Sequence, residues 1–248
     1  MQLRLTIALV VMLPAALAAQ TPGKFPPDSL VNVKVIPKST PVRDVIGRMR
    51  NFTSYLGVRC PFCHVGEEGR PLSEFDFASD KKRTKLVARQ MMLMVEEINR
   101  RLDTIPDPTA VGLQVTCATC HHGVTIPMPL SAVMEQVASS AGADSAIRAY
   151  KALREKYYGA DAYNFGESSL NIAAFRLGRD AKYPEALALL GLNEELYPGS
   201  SAMYVFRGNI TLMQGDTVAA AKAFREAVRR DPKNEEAKGR LRDIGQQP

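Results

Sequence analysis

Long apolar runs and cysteines are both scarce in this chain of 248 residues. The one marked apolar run, Leu5–Leu17, is interrupted by Pro14 and is shorter than the about 20 residues that a membrane-spanning helix needs. No cysteine follows this run closely, which excludes a bacterial lipid anchor at a mature N-terminal cysteine. A basic start and small residues after the run predict a cleaved secretory signal over residues 1–19 and a periplasmic protein. An uncleaved membrane anchor is the alternative.

The four cysteines and two of the three histidines lie in two copies of one motif, Cys-x-x-Cys-His. This pattern is the attachment signature of c-type haem. Two thiols at this spacing reach the two vinyl groups of one porphyrin, and the adjacent histidine is held under the ring to bind the iron. The sequence therefore predicts two covalent haems. Their attachment residues are Cys60, Cys63, Cys117 and Cys120, and their histidine ligands are His64 and His121.

Other uses of paired cysteines fit this chain less well. A zinc ribbon needs no histidine after each pair, and the gap at residues 64–116 is far longer than the about 15–20 residues usual in such a ribbon. A thioredoxin-like pair needs a βαβ setting, and the sequence shows none. Two structural disulfides would leave both histidines unexplained.

The charge of the chain does not indicate a nucleic-acid partner. The formal net charge is +6, and it becomes +5 when the predicted signal is removed with Arg4. The four propionates of two haems would bring the mature protein close to +1. The basic cluster at residues 81–83 is then best explained as the solvated start of a helix, with a docking patch as the alternative.

Each haem motif follows a predicted amphipathic helix that carries methionine on its apolar face. The first helix begins near residue 40, ends at Gly57 and has Met49 on its apolar stripe. The second is predicted from residue 79 or 80 to Leu102, with Met91 and Met94 on the stripe.

Histidine is too scarce to ligate both irons on both faces. With His64 and His121 assigned, His122 alone remains, and it cannot reach the far face of the haem bound by its neighbour. We expect it to be a surface or propionate-contacting residue, although it could serve the other haem. At least one iron therefore has a sixth ligand other than histidine, or none. Methionine is the usual alternative in cytochromes c, and periodicity does not choose between Met91 and Met94.

Several stretches resemble the photosynthetic reaction-centre cytochrome c subunit family. They are Met49 and residues 56–65, 76–80, 88–99 and 115–123. The resemblance implies a haem-packed helical domain, electron transfer rather than enzymatic activity, and Met49 and Met91 as the sixth ligands, with Met94 as the fallback. The full-length family members bind four haems and lack the C-terminal half found here, so the redox partner could be a reaction centre or a respiratory protein.

The C-terminal half is predicted to form tetratricopeptide-like helical hairpins. Pro198 and Pro232 are 34 residues apart, which is the period of that repeat. Aligning the prolines puts large and small residues at matching sites, namely Leu170 and Tyr204, Ala174 and Gly208, Ala186 and Ala220, and Leu190 and Phe224. This module would bind a peptide or protein partner, or it would be a helical domain that only packs.

The sequence thus predicts a mainly α protein with five segments. These are a signal peptide at 1–19, an irregular lead-in at 20–38, a dihaem domain at 39–130, a helical connector at 131–164 and a repeat domain at 165–248. Its predicted function is one-electron transfer to a redox partner, with peripheral membrane association through a redox complex and no nucleic-acid partner. The alternatives are a dihaem peroxidase or reductase, which needs an open iron site, and a haem-based sensor.

Overall fold

The computed structural model describes residues 23–106 and 112–247, so the predicted signal at 1–19 lies outside the described residues. In these two ranges the regular structure is helical, and the predicted mainly α class is confirmed. The helices are α1 (Val42–Leu56), α2 (Arg83–Leu102), α3 (Cys117–His121), α4 (Leu130–Ala141), α5 (Ala143–Tyr157), α6 (Glu167–Arg179), α7 (Tyr183–Leu196), α8 (Ala202–Met213), α9 (Thr217–Arg230) and α10 (Glu235–Asp243). No helix among the described residues is long and apolar enough to cross a membrane.

The chain divides into two compact units. The described part of the first unit is residues 23–51, 59–106 and 112–113, and that of the second is 52–58 and 114–247. The predicted divisions at residues 39, 131 and 165 stay predictions.

Helix α2 begins at Arg83, a few residues later than the sequence predicts. The Asp76 carboxylate accepts hydrogen bonds from the backbone N–H groups of Ala78 (3.1 Å) and Ser79 (2.9 Å), and this turn replaces the expected first turn of helix. Asp76 is also tied to Val65 by a bridge in which its N–H donates to the Val65 carbonyl at 2.9 Å.

The first unit has almost no apolar core of its own. Neither α1 nor α2 contains a buried residue. Among the described residues of this unit, Ile36 is the one buried apolar side chain. On α2, by contrast, Val87 is 45% exposed and Met94 is 48% exposed. The apolar faces that the sequence predicts are therefore present, but that of α1 is only partly covered and that of α2 is largely exposed.

The second unit has a continuous core built from α4–α10. Helix α6 pairs with α7, α8 pairs with α9, α4 packs on α5 and α6, and α10 closes against α9. In the α8–α9 pair a Cβ at Gly208 would lie 2.3 Å from the Phe224 ring, so the close approach of the two helices requires glycine. The residues aligned as matching repeat sites are all buried in this core.

Asn193 stands at a site where the repeat pattern predicts alanine, and the structure explains it. The side chain is fully buried, and its Nδ2 donates to the Glu167 carbonyl at 2.9 Å and to Asn171 Oδ1 at 2.8 Å. The pair joins α6 to α7 by hydrogen bonds that alanine could not make. Helical hairpins are thus observed, while their assignment as tetratricopeptide repeats stays a prediction.

Candidate haem-binding sites

The first motif is folded as a single tight turn. Cys60–Phe62 forms one turn of 3-10 helix that begins next to Pro61, whose fixed φ favours this position. The Cys60 carbonyl accepts hydrogen bonds from the N–H of Cys63 at 3.2 Å and from that of His64 at 3.0 Å. Both thiols and the imidazole therefore project from one short segment, as attachment to one porphyrin requires.

The start of α2 braces this turn through two hydrogen bonds to its backbone. Lys82 Nζ donates to the Pro61 carbonyl at 2.9 Å, and the Thr84 hydroxyl donates to the Phe62 carbonyl. Burial raises the pKa of the Cys63 thiol, against the opposing effects of Thr84 and Lys82. The sequence predicts that the basic cluster at residues 81–83 is solvated. The structure agrees for Lys81 and Arg83, but Lys82 is half-buried and bound to the motif.

His64 lies in an apolar setting next to Phe77, with ring centroids 4.9 Å apart at an interplanar angle of 68°. Its Nδ1 is buried and has no hydrogen-bond partner among the described residues. Burial lowers the pKa of His64 to about 4, helped by the positive charges of Lys85 and Arg89 and partly opposed by the Phe77 carbonyl. The imidazole is therefore neutral at pH 7, which is the form that binds iron.

The second motif forms the short helix α3, and its histidine is oriented by the backbone. Thr116 caps the helix in a box with Thr119, whose hydroxyl accepts from the Thr116 N–H at 3.0 Å. His121 Nδ1 lies 2.9 Å from the Val124 carbonyl. A carbonyl can only accept, so Nδ1 carries the proton and the Nε2 lone pair is left for a metal.

The chain leaves the second motif through a left-handed turn that fits against the end of α1. His122 has φ 48° and an exposed side chain. The following Gly123 donates its N–H to the Tyr55 carbonyl at 2.9 Å. Gly57, at φ 63°, would place a Cβ 2.1 Å from the Gly123 carbonyl oxygen, so only glycine fits there.

The methionines predicted as sixth ligands lie where the sequence placed them along α1 and α2. Met49 is half-buried on α1, while Met91 and Met94 are 39% and 48% exposed on α2. The structure does not choose between the last two, and all three assignments stay predictions. Met92 on the same helix is less exposed than either neighbour.

The residues present fit covalently attached haem. The apolar faces of α1 and α2 are incompletely covered, and a porphyrin could pack against them. His64 has a buried imidazole nitrogen without a partner among the described residues, and His121 has an Nε2 lone pair available for an iron. The four cysteines are free thiols. The described residues contain no cluster of three or more metal-binding side chains of the kind a zinc ribbon needs.

Sequence reasoning missed the inward-facing cations of α2. Lys85 and Arg89 have side chains only 11% and 16% exposed, and both contact Asp80. A basic residue every fourth position of an amphipathic helix ordinarily indicates a solvated face. The one available signal was Asp80 just before the helix, which supplies a partner for cations one and two turns later.

Cys-x-x-Cys-His motifs in a helical protein are typical of c-type cytochromes. A family model described as "Photosynthetic reaction centre cytochrome C subunit" matches residues 11–155, more than half of the chain. The chain belongs to this family, whose members are electron carriers that work with photosynthetic reaction centres. The match ends within α5, before the hairpins α6–α10. No curated protein and no solved structure matches the chain.

Proposed function

We propose that this protein is an exported dihaem cytochrome c that passes single electrons between redox partners. The observation that carries the proposal is that each Cys-x-x-Cys-His motif presents its thiols and imidazole from one short segment, while the apolar faces of α1 and α2 are incompletely covered. When bound, each haem supplies an iron that alternates between two oxidation states one electron apart. The family match supports the class of carrier, and the number of haems rests on the two motifs.

Four side chains of this chain would hold the two irons. His64 and His121 would each supply an imidazole nitrogen, and Met49 and Met91 would each supply a sulfur, with Met94 as the fallback for Met91. Ligation by all four residues would leave no iron position open for a substrate, which favours a carrier over a peroxidase or a reductase.

Replacing Met49 by alanine tests the ligand assignment. The variant should lower the reduction potential of one haem and let carbon monoxide bind to its reduced form, because methionine raises the potential and blocks the site. Met92→Ala is the matched control, since this methionine lies about a quarter turn from the apolar stripe. Unchanged potentials and no carbon monoxide binding in Met49→Ala would contradict the assignment.

The protein would work in the periplasm, attached to the membrane only through its redox partner. The signal predicted at residues 1–19 supports export, and the family match supports a reaction centre as the partner. Another membrane redox complex is the alternative acceptor or donor. Cell fractionation with a C-terminal tag would locate the protein, and retention in the cytoplasm would contradict the proposal.

A second role belongs to the C-terminal hairpins, where α7, α8 and α9 line a groove of about 830 Å³. Four cationic side chains line the groove, against a single carboxylate, Glu226. The cations are Arg207, Lys222, Arg225 and Arg229. We propose that this groove binds an acidic segment of the partner protein.

Two of these cations, Arg207 and Arg229, already have a carboxylate partner, and that of Arg207 lies outside the groove lining. Glu194 accepts from Arg207 at 2.8 Å and from the Tyr204 hydroxyl, and these bonds hold the pKa of Glu194 below its ordinary value. Glu226 bonds Arg229 at 2.6 Å. These pairs hold their guanidinium groups in place, which lowers the entropy lost on binding.

The other two cations lack an anionic partner among the described residues. Arg225 donates to the neutral Gln246 amide at 2.6 Å, and the exposed Lys222 side chain makes no hydrogen bond or ion pair. Two uncompensated positive charges one turn apart on α9 complement a pair of carboxylates. Helix α7 contributes the apolar Leu187 to the groove lining.

Charge reversal in the holoprotein tests the groove. A fluorescent peptide rich in Asp and Glu should bind about tenfold more weakly to Lys222→Glu/Arg225→Glu, and added salt should weaken its binding to the native protein. Lys34→Glu/Lys38→Glu makes the same charge change at exposed sites in the other unit and should bind like the native protein. Equal loss in both variants, or preference for anionic vesicles or oligonucleotides over the peptide, would contradict the proposal.

A further inference from the structure

Two cationic side chains are held almost out of solvent beside the first haem motif. The side chain of Lys85 is 11% exposed and that of Arg89 is 16% exposed. Lysine and arginine are rarely so buried, because removing a charge from water costs several kcal/mol by order of magnitude unless partners compensate. Their partners show what holds them in this position.

Lys85 is bound by three successive backbone carbonyls and one carboxylate. Its Nζ donates to the carbonyls of Phe77 at 2.8 Å, Ala78 at 3.1 Å and Ser79 at 2.8 Å. It also lies 3.2 Å from Asp80 Oδ1. The ammonium group is therefore fixed in one place rather than sampling solvent, and its charge acts from a defined position.

Arg89 shares the same carboxylate. Its guanidinium lies 3.0 Å from Asp80 Oδ1 and donates to the Asn32 carbonyl at 3.0 Å, while Asn32 Nδ2 donates to the Ala78 carbonyl at 2.6 Å. Hydrogen bonds from Arg89, Asn32 and Lys85 hold the pKa of Asp80 well below its usual range, so this carboxylate stays ionised. Lys85 and Arg89 thus share Asp80 as their one ion-pair partner among the described residues, while the nearby Asp76 carboxylate is bound to the backbone N–H groups of Ala78 and Ser79.

Phe77 connects Lys85 to the first histidine ligand. Its ring packs against His64 at a centroid distance of 4.9 Å, and its carbonyl accepts from Lys85. A carbonyl that accepts from a histidine Nδ1 makes the imidazole a more electron-rich ligand. His121 has such a carbonyl at 2.9 Å, whereas His64 Nδ1 has no partner among the described residues.

We propose that Lys85, held with Arg89 against the single carboxylate Asp80, raises the reduction potential of the haem attached at Cys60 and Cys63. Oxidation adds one positive charge at the iron, and a fixed cation nearby in a poorly solvated setting disfavours that charge. The inference rests on the proposed function, because it requires a redox-active haem at this motif.

Potentiometric titration of the holoprotein, followed by its visible spectrum, tests the inference. Lys85→Gln should shift the reduction equilibrium of one haem about tenfold toward the oxidised form, which is a fall of 59 mV for a one-electron couple. Asp80→Asn removes the compensating anion and should shift the same haem in the opposite direction. Lys81→Gln, an exposed lysine on the same segment, should leave both haems unchanged.

Met49→Ala identifies which of the two reduction potentials belongs to the first haem. If that variant shifts neither potential, the proposed ligation fails, whatever the result for Lys85→Gln. If Met49→Ala shifts the potential of one haem but Lys85→Gln shifts neither potential, or shifts that of the other haem, the inference about Lys85 fails while the proposed ligation stands. Shifts of the same sign in Lys85→Gln and Asp80→Asn would also overturn the inference about Lys85. An electrostatic effect changes sign with the charge that is removed, whereas a structural disturbance of the site does not.

Discussion

The first unit should not fold without its haems, and this dependence can be measured directly. We consider the chain in which the four attachment cysteines are replaced by serine. Helix α2 has 20 residues and no buried apolar side chain, so without haem its tertiary support is limited to the polar contacts of its first two turns. Isolated helices of this length are marginal in water, so its amides should exchange within about tenfold of the rate of an unfolded peptide.

The second unit supplies an internal reference in the same molecule. Its helices α6–α9 contain fully buried side chains such as Leu177 and Phe224. A domain with a stability of about 5 kcal/mol slows the exchange of its core amides by three to four powers of ten. Peptides from α6 and α9 should therefore be protected to this extent in both the haem-free and the native chain.

Hydrogen–deuterium exchange with mass spectrometry separates the two units by peptide. The native holoprotein should protect α2 and the haem-free variant should not, while α6 and α9 remain protected in both. Comparable protection of α2 in the haem-free chain would refute the reasoning, because it would mean that the apolar faces of the first unit are covered without haem. Loss of protection in both units would instead show that the second unit depends on the first.

Three further predictions concern individual residues. Gly208→Ala should destabilise the second unit by about 1–3 kcal/mol in a denaturant titration, because its Cβ would overlap an aromatic ring, whereas Gly191→Ala has open space and should be neutral or stabilising. Hydrogen bonds from Tyr204 and Arg207 hold the pKa of Glu194 below its ordinary value of 4.5 in the folded protein. The ionised carboxylate therefore stabilises the fold fully above pH 4.5, and this stabilisation is lost as the pH falls through the lower pKa of the folded state. Glu194→Gln should therefore lose less stability than the native protein on acidification, and an equal loss would contradict this. Met91→Ala should open the second haem to carbon monoxide while Met94→Ala should not, and the reverse result would make Met94 the ligand.

The sequence was sufficient for the parts of the site that depend on local spacing. The Cys-x-x-Cys-His spacing predicts that Cys60 and His64 serve one haem, and the structure places them on one turn, where the His64 N–H donates to the Cys60 carbonyl. Helical periodicity likewise predicted α1 and α2 with their methionine-bearing faces. These features follow from interactions within a few residues of chain, and a single sequence carries that information.

Contacts between distant segments could not be read in the same way. Arg89 is bound to the Asn32 carbonyl, 57 residues earlier, and nothing in the helical pattern of α2 indicates that this side chain faces inward. The late start of α2 depends on an Asp76 turn that competes with the first helical turn. Asn193 departs from the repeat pattern because it pairs with Asn171 on another helix, a partner that periodicity does not identify.

The central claim is that this chain carries two covalent haems whose irons have no free coordination position. The most direct test is the intact mass of the exported protein, with its reduced and oxidised spectra recorded with and without carbon monoxide. The account predicts a mass equal to the processed chain plus two haems, a methionine–iron absorption band in the oxidised form, and no change in the reduced spectrum with carbon monoxide. A mass with one haem or none, or a reduced spectrum that shifts with carbon monoxide at neutral pH, would contradict it.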